Sequence, residues 1–225
     1  MSAGSSGTST PATVTTLLWV RHGQADSNRD GRFGGHSPVP LTDLGRRQAE
    51  ATAAAIRRAA PTALISSDLA RAVQTAEPIA AATGLALELD RDLRERSLGI
   101  LDGLSFADAE ARHPELWQRL MARDPALVPD GGEAVDAVYA RVARAIDAIV
   151  SRHAGGRVVV VSHGLALYHA FVHVCGLGSP SADHGVFVLV DNCSVSRVEH
   201  RHVHGRARWR IRSLNDVAHL DGLAS

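Results

Sequence analysis

The strongest constraint on the fold of this chain is a pair of apolar, β-prone segments that end in nearly the same way. The first, Leu17–Gly23, reads LLWVRHG, and the second, Arg157–Gly164, reads RVVVVSHG. In open α/β sheets, ligands bind outside the carboxyl ends of parallel strands, where a glycine lets the backbone approach closely. If the two segments are neighbours in one parallel sheet, His22 and His163 face one pocket with Arg21 beside them. That pocket is then cationic.

The rest of the chain alternates between helical and extended patterns. Hydrophobic spacing and capping signals predict helices at 46–60, 69–83, 133–152 and 165–174, and strands at 63–67, 85–89 and 158–161. Three late strands are predicted at 185–190, 193–200 and 207–214, with a turn between the first two. This order predicts an α/β fold, a three-layer αβα sandwich around a central, mostly parallel sheet.

The length of 225 residues suits one domain with a sizeable core. Residues 1–15 are rich in Ser, Thr, Gly and Ala and lack periodicity, so we expect a disordered tail followed by a single domain at 16–225. Cys175 and Cys193 lie in or near apolar segments and are expected to be buried and inert. Two cysteines in a chain of this size favour a reducing, cytoplasmic location over a disulfide framework.

The charge balance argues against a polyanionic partner. The chain has 24 cationic and 24 acidic side chains, so it lacks the overall positive charge typical of nucleic-acid binding. No apolar run approaches the length of a membrane span, and the N-terminus has neither a basic start nor a hydrophobic stretch. The sequence therefore predicts a soluble protein whose partner is neither nucleic acid nor membrane.

The residues at the two strand ends suit phosphoryl transfer. A phosphate monoester is a dianion near neutral pH and needs fixed donors around its oxygens. Arg21 supplies a permanently charged guanidinium group with several N–H donors, and His163 supplies a further hydrogen-bond donor. The amides of Gly164 and Leu165 open the next helix and add partial positive charge. Nearby arginines keep His22 neutral and nucleophilic, and they bring the charge that a metal would bring, so no metal or cofactor is expected.

These residues also carry a family resemblance. Arg21-His22-Gly23, followed by Gln24 and Asn28, resembles the signature of the histidine phosphatase (phosphoglycerate mutase-like) superfamily, in its phosphatase-type branch. Three further blocks match in order, SSDLARAVQTA at 66–76, LRERSLGILDG at 93–103 and SHG at 162–164. The resemblance runs over roughly residues 16 to 220 and implies the same αβα architecture.

The resemblance also implies roles for individual residues. Arg71 in the second block is implied as the second phosphate-binding arginine, and Asn28 and Gln24 as further phosphate ligands. Glu95 in the third block is implied as the acid that protonates the leaving alkoxide and then acts as base toward water. Several carboxyl groups compete with Glu95, and only the family match separates them. They are Asp92, Asp102 and Glu133.

A segment at about 99–132 resembles the insertion that covers the active site in this family. Its Trp117 and Met121 are equally compatible with core packing and with substrate contact. Two positions depart from the family pattern, with Ala25 where a Ser or Thr is common and Pro38 where an Asp is common. The insertion lacks the lysines and the proline run of the mutases, which favours a phosphatase.

The sequence thus predicts a metal-independent phosphomonoesterase that acts on a small phosphorylated metabolite through a phosphohistidine at His22. A phosphoglycerate mutase-type phosphotransferase and a non-catalytic phospho-ligand binding module remain as alternatives. A homodimer is mildly preferred. His36 and His169 are expected to be structural or rim residues. His200, His202 and His204 alternate and could chelate a metal, although a polar sheet face or a hairpin tip explains the pattern.

Overall fold

A computed structural model of the chain describes residues 13–179, 185–203 and 206–223. The strands are β1 (Thr13–Arg21), β2 (Ala63–Ser66), β3 (Leu87–Leu89), β4 (Arg157–Ser162), β5 (Val195–Val203) and β6 (Arg206–Asp216). They form a six-stranded sheet in the order β3-β2-β4-β1-β5-β6. The first four in this order run parallel, while β5 is antiparallel to β1, and β6 to β5. The predicted mostly parallel sheet is confirmed.

Helices cover both faces of the sheet. They are α1 (Asp26–Arg29), α2 (Asp43–Arg58), α3 (Ala70–Thr83), α4 (Phe106–Arg112), α5 (Pro114–Met121), α6 (Val135–Arg152) and α7 (Gly164–Val174). Short 3-10 turns lie at Arg91–Leu93, Gly99–Leu101 and Ala218–Leu220. One buried cluster joins the sheet to α6 and α7, and a second joins it to α2 and α3. The αβα sandwich is therefore confirmed.

The continuous apolar run of β1 reflects burial on both faces. Successive side chains of a strand point to opposite faces of the sheet. Leu17 and Trp19 pack toward α6 and α7, whereas Leu18 and Val20 pack toward α2 and α3. The Trp19 ring meets the Phe171 ring edge-on, with centroids 4.7 Å apart. Burial on both faces fixes the strand that delivers the catalytic candidates to the sheet edge.

Several predicted boundaries need correction. β1 begins at Thr13, so residues 13–15 belong to the sheet rather than to the predicted tail, while residues 1–12 lie outside the described part.

Cys193 is buried as expected, but Cys175 is exposed, because it follows the last turn of α7. His204 also lies outside the described residues. The rings of His200 and His202 stand 5.2 Å apart, and no group of metal-binding residues is found in the described part of the chain.

The predicted strand at 185–190 is wrong. Residues 186–190 form no strand, and β5 pairs with β1 and with β6 instead. The segment runs along α7, where the Phe187 ring stacks on Tyr168 with centroids 4.6 Å apart. Alternating apolar residues suit an extended segment on a helix face as well as a strand, which explains the error.

The segment at 99–132 folds into α4 and α5 around a small cluster of its own. Trp117 packs with Phe33 and Phe106, at ring centroid distances of 6.2 and 6.1 Å. Met121 is 53% exposed. Trp117 thus belongs to the packing of this segment. In the described ranges, no helix is long and apolar enough to cross a membrane.

Candidate active site

The carboxyl ends of β1 and β4 lie side by side, as the paired sequence segments predict. Arg21 at the end of β1 is in register with Ser162 at the end of β4. The residues that follow, His22 and His163, place their ring centroids 5.1 Å apart. Both side chains are buried. The sheet therefore brings the two histidines into one pocket.

The hydrogen bonds of His22 fix its tautomer. Nδ1 lies 2.7 Å from the carbonyl oxygen of Gly23, which can only accept, so Nδ1 carries the hydrogen. Nε2 is left with its lone pair and accepts a 3.3 Å hydrogen bond from Nε of Arg71. Burial is the main reason that the pKa of His22 lies well below its ordinary value, and the positive charges of Arg71 and Arg21 lower it further. The ring is neutral, with a free electron pair at Nε2.

The backbone around His22 is held from several sides. Its N–H donates to the Ser162 carbonyl at 2.9 Å, and its own carbonyl accepts from the Asn192 amide at 2.9 Å. Gly23 sits against the start of α2, where an added Cβ would lie 2.6 Å from the carbonyl oxygen of Gly45. Only a glycine fits this approach, so the turn after β1 is rigid.

Two arginines lie close to the histidines, Arg71 buried and Arg21 half-buried. Arg71 lies in the first turn of α3 and donates from Nη2 to the Gly35 carbonyl at 2.8 Å. Arg21 donates from Nη1 to the Val190 carbonyl at 2.6 Å, while its buried Nε has no hydrogen-bond partner among the described residues. Burial lowers the pKa of both guanidinium groups, which remain cationic in proteins. The pocket is positively charged, as predicted.

His163 presents a second buried group without a partner. Its Nε2 lies 2.8 Å from the Ser67 hydroxyl, and its Nδ1 contacts no hydrogen-bond partner in the described structure. Ser67 Oγ accepts from the Leu69 N–H at 3.3 Å, and Nε2 is the acceptor that the described residues offer to its hydroxyl hydrogen. Nδ1 then carries the ring hydrogen. Burial is the main reason that the pKa of His163 lies well below its ordinary value, and Arg71 and His22 lower it further.

Glu95 lies in the same pocket, near Arg21. Its Oε1 accepts from the Arg96 N–H at 2.8 Å, and its Oε2 accepts from the Leu165 N–H at 3.1 Å. A Cβ added at Gly164 would lie 3.8 Å from both Glu95 Oε2 and Arg21 Nε. The carboxylate thus sits at the start of α7, near the guanidinium of Arg21.

The three competing carboxylates are engaged elsewhere. Asp92 pairs with Arg144 at 3.1 Å. Asp102 accepts from the backbone of His36 and Leu98, and Glu133 forms a two-point contact with Arg141. These contacts tie loops and helices together. Of the four candidates, Glu95 is the one that the structure places beside Arg21.

Three of the predicted phosphate ligands, Leu165, Asn28 and Gln24, make hydrogen bonds within the protein. The Leu165 N–H, expected to bind phosphate, donates to Glu95, because the start of a helix attracts a carboxylate as it does a phosphate. Asn28 Oδ1 accepts from the Ala25 N–H at 3.0 Å, which closes the turn before α1. Gln24 Oε1 accepts from Thr42 at 2.8 Å. Gly164 leaves space between Glu95 and Arg21.

Supporting residues beyond the predicted set hold the Glu95 loop. Arg141 donates to the carbonyls of Asp92, Arg94 and Glu95 at 2.9, 2.6 and 2.8 Å. His36, expected to be structural or at the rim, contacts the Glu95 carbonyl at 2.8 Å through Nε2. A lone arginine on an amphipathic helix carries no signal of this role. Ser67, in contrast, lies inside the SSDL block.

The arrangement is suited to an anion with several oxygens. Buried donors without a partner cost about 1–3 kcal/mol each and are rare in native proteins. Arg21 Nε and His163 Nδ1 are two such groups among the described residues, and both belong to residues next to the neutral ring of His22 in the sheet. An anion bound in this pocket would give both donors a partner.

Comparison with known proteins gives consistent results. The sequence model of the histidine phosphatase superfamily (branch 1) matches residues 17–217. Phosphoglycerate mutase-like protein 4 of Arabidopsis thaliana is 35% identical over 208 residues, 91% of this chain and 86% of that protein. The probable phosphoglycerate mutase GpmB of Yersinia pestis is 36% identical over 205 residues, 90% and 93% of the two chains. The solved structure of a mycobacterial glucosyl-3-phosphoglycerate phosphatase is 32% identical with a TM-score of 0.78, over 90% and 99% of the two chains.

Proposed function

Because this chain belongs to branch 1 of the histidine phosphatase superfamily, we propose that it is a metal-independent phosphomonoesterase that forms a phosphohistidine at His22. The substrate is a small phosphorylated metabolite, and the setting is the cytoplasm. The observation that carries the proposal is the pair of buried donors without a partner among the described residues, Arg21 Nε and His163 Nδ1, in the pocket that holds the lone pair of His22 Nε2. Together they define a place for a phosphoryl group and an atom to attack it.

In the first step, the phosphate dianion takes up the free donors of Arg21 and His163. The Nε of Arg71 turns from His22 Nε2 to a phosphate oxygen, which releases the lone pair. Nε2 then forms a bond to phosphorus as the bond from phosphorus to the ester oxygen breaks. The electrons of that bond pass to the leaving oxygen, which takes a proton from the carboxyl group of Glu95.

In the second step, water attacks the phosphohistidine. The Glu95 carboxylate accepts the proton of the water, the bond between His22 Nε2 and phosphorus breaks, and inorganic phosphate leaves. The guanidinium groups of Arg21 and Arg71 stabilise the charge on the three phosphoryl oxygens throughout. Each residue thus performs a task that its position allows.

A phosphoglycerate mutase-type phosphotransferase is the second candidate, because two relatives carry mutase names. A mutase must protect the phosphohistidine from water and bind a second anionic group. The insertion at 99–132 lacks the lysines that would serve a second anion. The solved structure with a phosphatase name also favours hydrolysis. A non-catalytic binding module is disfavoured, since it would not need a neutral His22 beside a placed carboxylate.

The test is phosphate release from a panel of metabolite phosphates in the presence of a chelator. Wild type is compared with His22→Ala and with His202→Ala, a control that removes an exposed histidine on β5. We expect turnover by wild type and the control and none by His22→Ala. Migration of phosphate without release would identify the mutase, and tight phosphate retention without turnover would identify a binding module.

A further inference from the structure

A cavity of about 220 Å³ is lined by Arg96 and Leu165, the two residues whose N–H groups hold the Glu95 carboxylate, and nothing above assigns it a role. We propose that it binds the alcohol part of the substrate, and that it takes a compact, mostly apolar alcohol of about one ring with one hydrogen-bonding group for His169. This inference rests on the proposed phosphomonoesterase function and adds a substrate class to it.

The position of the cavity connects it to the leaving group. The side chain of Leu165 lines it, while the Leu165 N–H holds Glu95 Oε2. Arg96, the neighbour of Glu95 in the chain, lines it as well. Glu95 gives its proton to the ester oxygen, so the atoms beyond that oxygen lie next to Glu95. The cavity is the space that these elements leave for them.

The walls are largely apolar. Six of the residues that line the cavity have aliphatic, proline or aromatic side chains, namely Leu120, Pro125, Val135, Leu165, Tyr168 and Phe187. An apolar cavity of about 150 Å³ is large enough to hold benzene. A volume of about 220 Å³ therefore accommodates a substituted ring.

One polar group in the wall has no partner. His169 lies on α7, one turn after Leu165, and its side chain is only 2% exposed. Its buried Nδ1 makes no hydrogen bond with any residue that the structure describes. Burial lowers the pKa of His169 to about 4, so the ring is neutral and offers one donor and one acceptor. A hydroxyl or carbonyl group on the ligand would satisfy it.

The two arginines at the cavity are already engaged. Arg96 donates from Nε to the Glu133 carbonyl at 3.0 Å and from Nη2 to the Leu127 carbonyl at 2.5 Å. Arg123 adopts a left-handed backbone conformation, with φ 54°, and its guanidinium carbon lies 3.6 Å from the centre of the Phe187 ring. Asp124 also lines the cavity and pairs with Arg119 at 2.7 Å, so the wall carries a carboxylate as well as the two guanidinium groups. The largely apolar lining then favours a neutral alcohol.

The experiment compares kcat/KM for benzyl phosphate, ethyl phosphate and 3-phosphoglycerate. Benzyl and ethyl phosphate both release a primary alcohol and differ mainly in the ring. Val135→Trp fills the cavity, and Val128→Trp makes the same change at an exposed valine outside it. We expect wild type and Val128→Trp to prefer benzyl over ethyl phosphate at least tenfold, and Val135→Trp to lose most of that ratio.

The role of His169 is tested with the three (hydroxymethyl)benzyl phosphates, whose alcohol groups do not eliminate phosphate as an ortho or para phenol would. We expect at least one isomer to exceed benzyl phosphate in kcat/KM for wild type, and His169→Phe to abolish that advantage. The cavity proposal is overturned if benzyl and ethyl phosphate react equally well, if 3-phosphoglycerate is preferred, or if Val135→Trp keeps the wild-type ratio.

Binding of benzylphosphonate separates this proposal from the proposed function, because it requires no turnover. Calorimetry with wild type, Val135→Trp and Val128→Trp decides the cavity even if no ester is hydrolysed. Tight binding that only Val135→Trp loses supports the cavity, and equal or absent binding overturns it. Absence of all turnover refutes the phosphomonoesterase alone.

Discussion

At the level of single residues, the placement of Glu95 makes a prediction about leaving groups. Two backbone N–H groups orient its carboxylate, from Arg96 and Leu165. An alkoxide needs a proton to leave, whereas 4-nitrophenolate does not. Glu95→Gln should therefore lower kcat for ethyl phosphate by about 10²–10⁴-fold. With 4-nitrophenyl phosphate, the same variant should release a rapid burst of nitrophenolate. Turnover after the burst should be slow, because hydrolysis of the phosphohistidine lacks the Glu95 carboxylate as its base.

Stopped-flow absorbance measures the burst, and its amplitude should approach one equivalent per active site. Wild type under the same conditions is the reference. If Glu95→Gln loses the fast phase as completely as it loses ethyl phosphate turnover, the carboxyl group is not the proton donor. The acid would then have to be sought among the other groups of the pocket.

Ser67 provides a second prediction at this scale, as a positioning residue. Its hydroxyl at 2.8 Å from His163 Nε2 keeps the hydrogen on Nδ1, where it can serve a phosphate oxygen. Ser67→Ala removes this constraint and should weaken inhibition by inorganic phosphate by about fivefold, equivalent to about 1 kcal/mol. Ser67→Thr, which keeps the hydroxyl, should restore it.

Ser66→Ala is the matched control, because Ser66 is also buried and donates to the Ser67 carbonyl at 2.8 Å without touching the ring. Nitrogen NMR of the His163 ring reports the tautomer directly. An unchanged tautomer in Ser67→Ala, or equal losses in both alanine variants, would show that Ser67 acts only through general packing.

At the level of elements, the sequence was most informative where candidate catalytic residues directly follow a buried strand. Apolar runs ending at Arg21 and at Ser162 predicted two neighbouring strands, because burial on both faces requires such runs. The family blocks, rather than periodicity, pointed to Arg71 and Glu95. The use of the Leu165 N–H was not predictable, since a helix start can hold a carboxylate or a phosphate equally well.

The contribution of α6 was also hidden in the sequence. Arg141 reaches from this helix to three carbonyls of the loop that carries Glu95. Hydrophobic periodicity identifies the buried face of a helix, but it does not say which backbone a buried guanidinium will meet. Side-chain to backbone contacts across distant segments therefore appear only in the structure.

This contact gives a prediction for the element as a whole. Arg141→Met combined with Glu133→Gln removes the hydrogen bonds from Arg141 to the Glu95 loop without leaving the half-buried Glu133 carboxylate unpaired. The Glu95 loop should loosen, and kcat for ethyl phosphate should fall by about 10–100-fold with a smaller change in KM. Arg144→Met, an exposed arginine on the same helix, should leave both constants close to wild type.

Circular dichroism shows whether the double variant keeps its fold. A fold that persists with unchanged kcat would show that the loop is held without Arg141. A nitrophenolate burst that survives in the double variant would locate the defect at proton transfer, because phosphate binding through Arg21 and Arg71 does not depend on the hydrogen bonds of Arg141.

For the whole molecule, burial of neutral histidines links stability to pH. Burial is the largest cause of the lowered pKa of His22, His163 and His169. In the unfolded chain these rings regain their ordinary pKa near 6.5. Below that pH the unfolded state binds protons that the folded state does not. Their contribution to stability is therefore complete at alkaline pH and is lost as pH falls through the unfolded value.

The expected size follows from His169, whose folded pKa is about 4. This residue alone should lower the free energy of unfolding by about 2 kcal/mol between pH 8 and pH 5, with further losses from His22 and His163. The lowered carboxyl pKa of Glu133 acts in a more acidic range, because an unfolded glutamate titrates near 4.5, so this window reports mainly the histidines. Urea unfolding of wild type, His169→Phe and the exposed control His202→Phe measures the slope. Whatever its absolute stability, His169→Phe should reduce the difference in the free energy of unfolding between pH 8 and pH 5 by about 2 kcal/mol. If this variant and the control show the same difference, His169 has the same protonation in the folded and unfolded states.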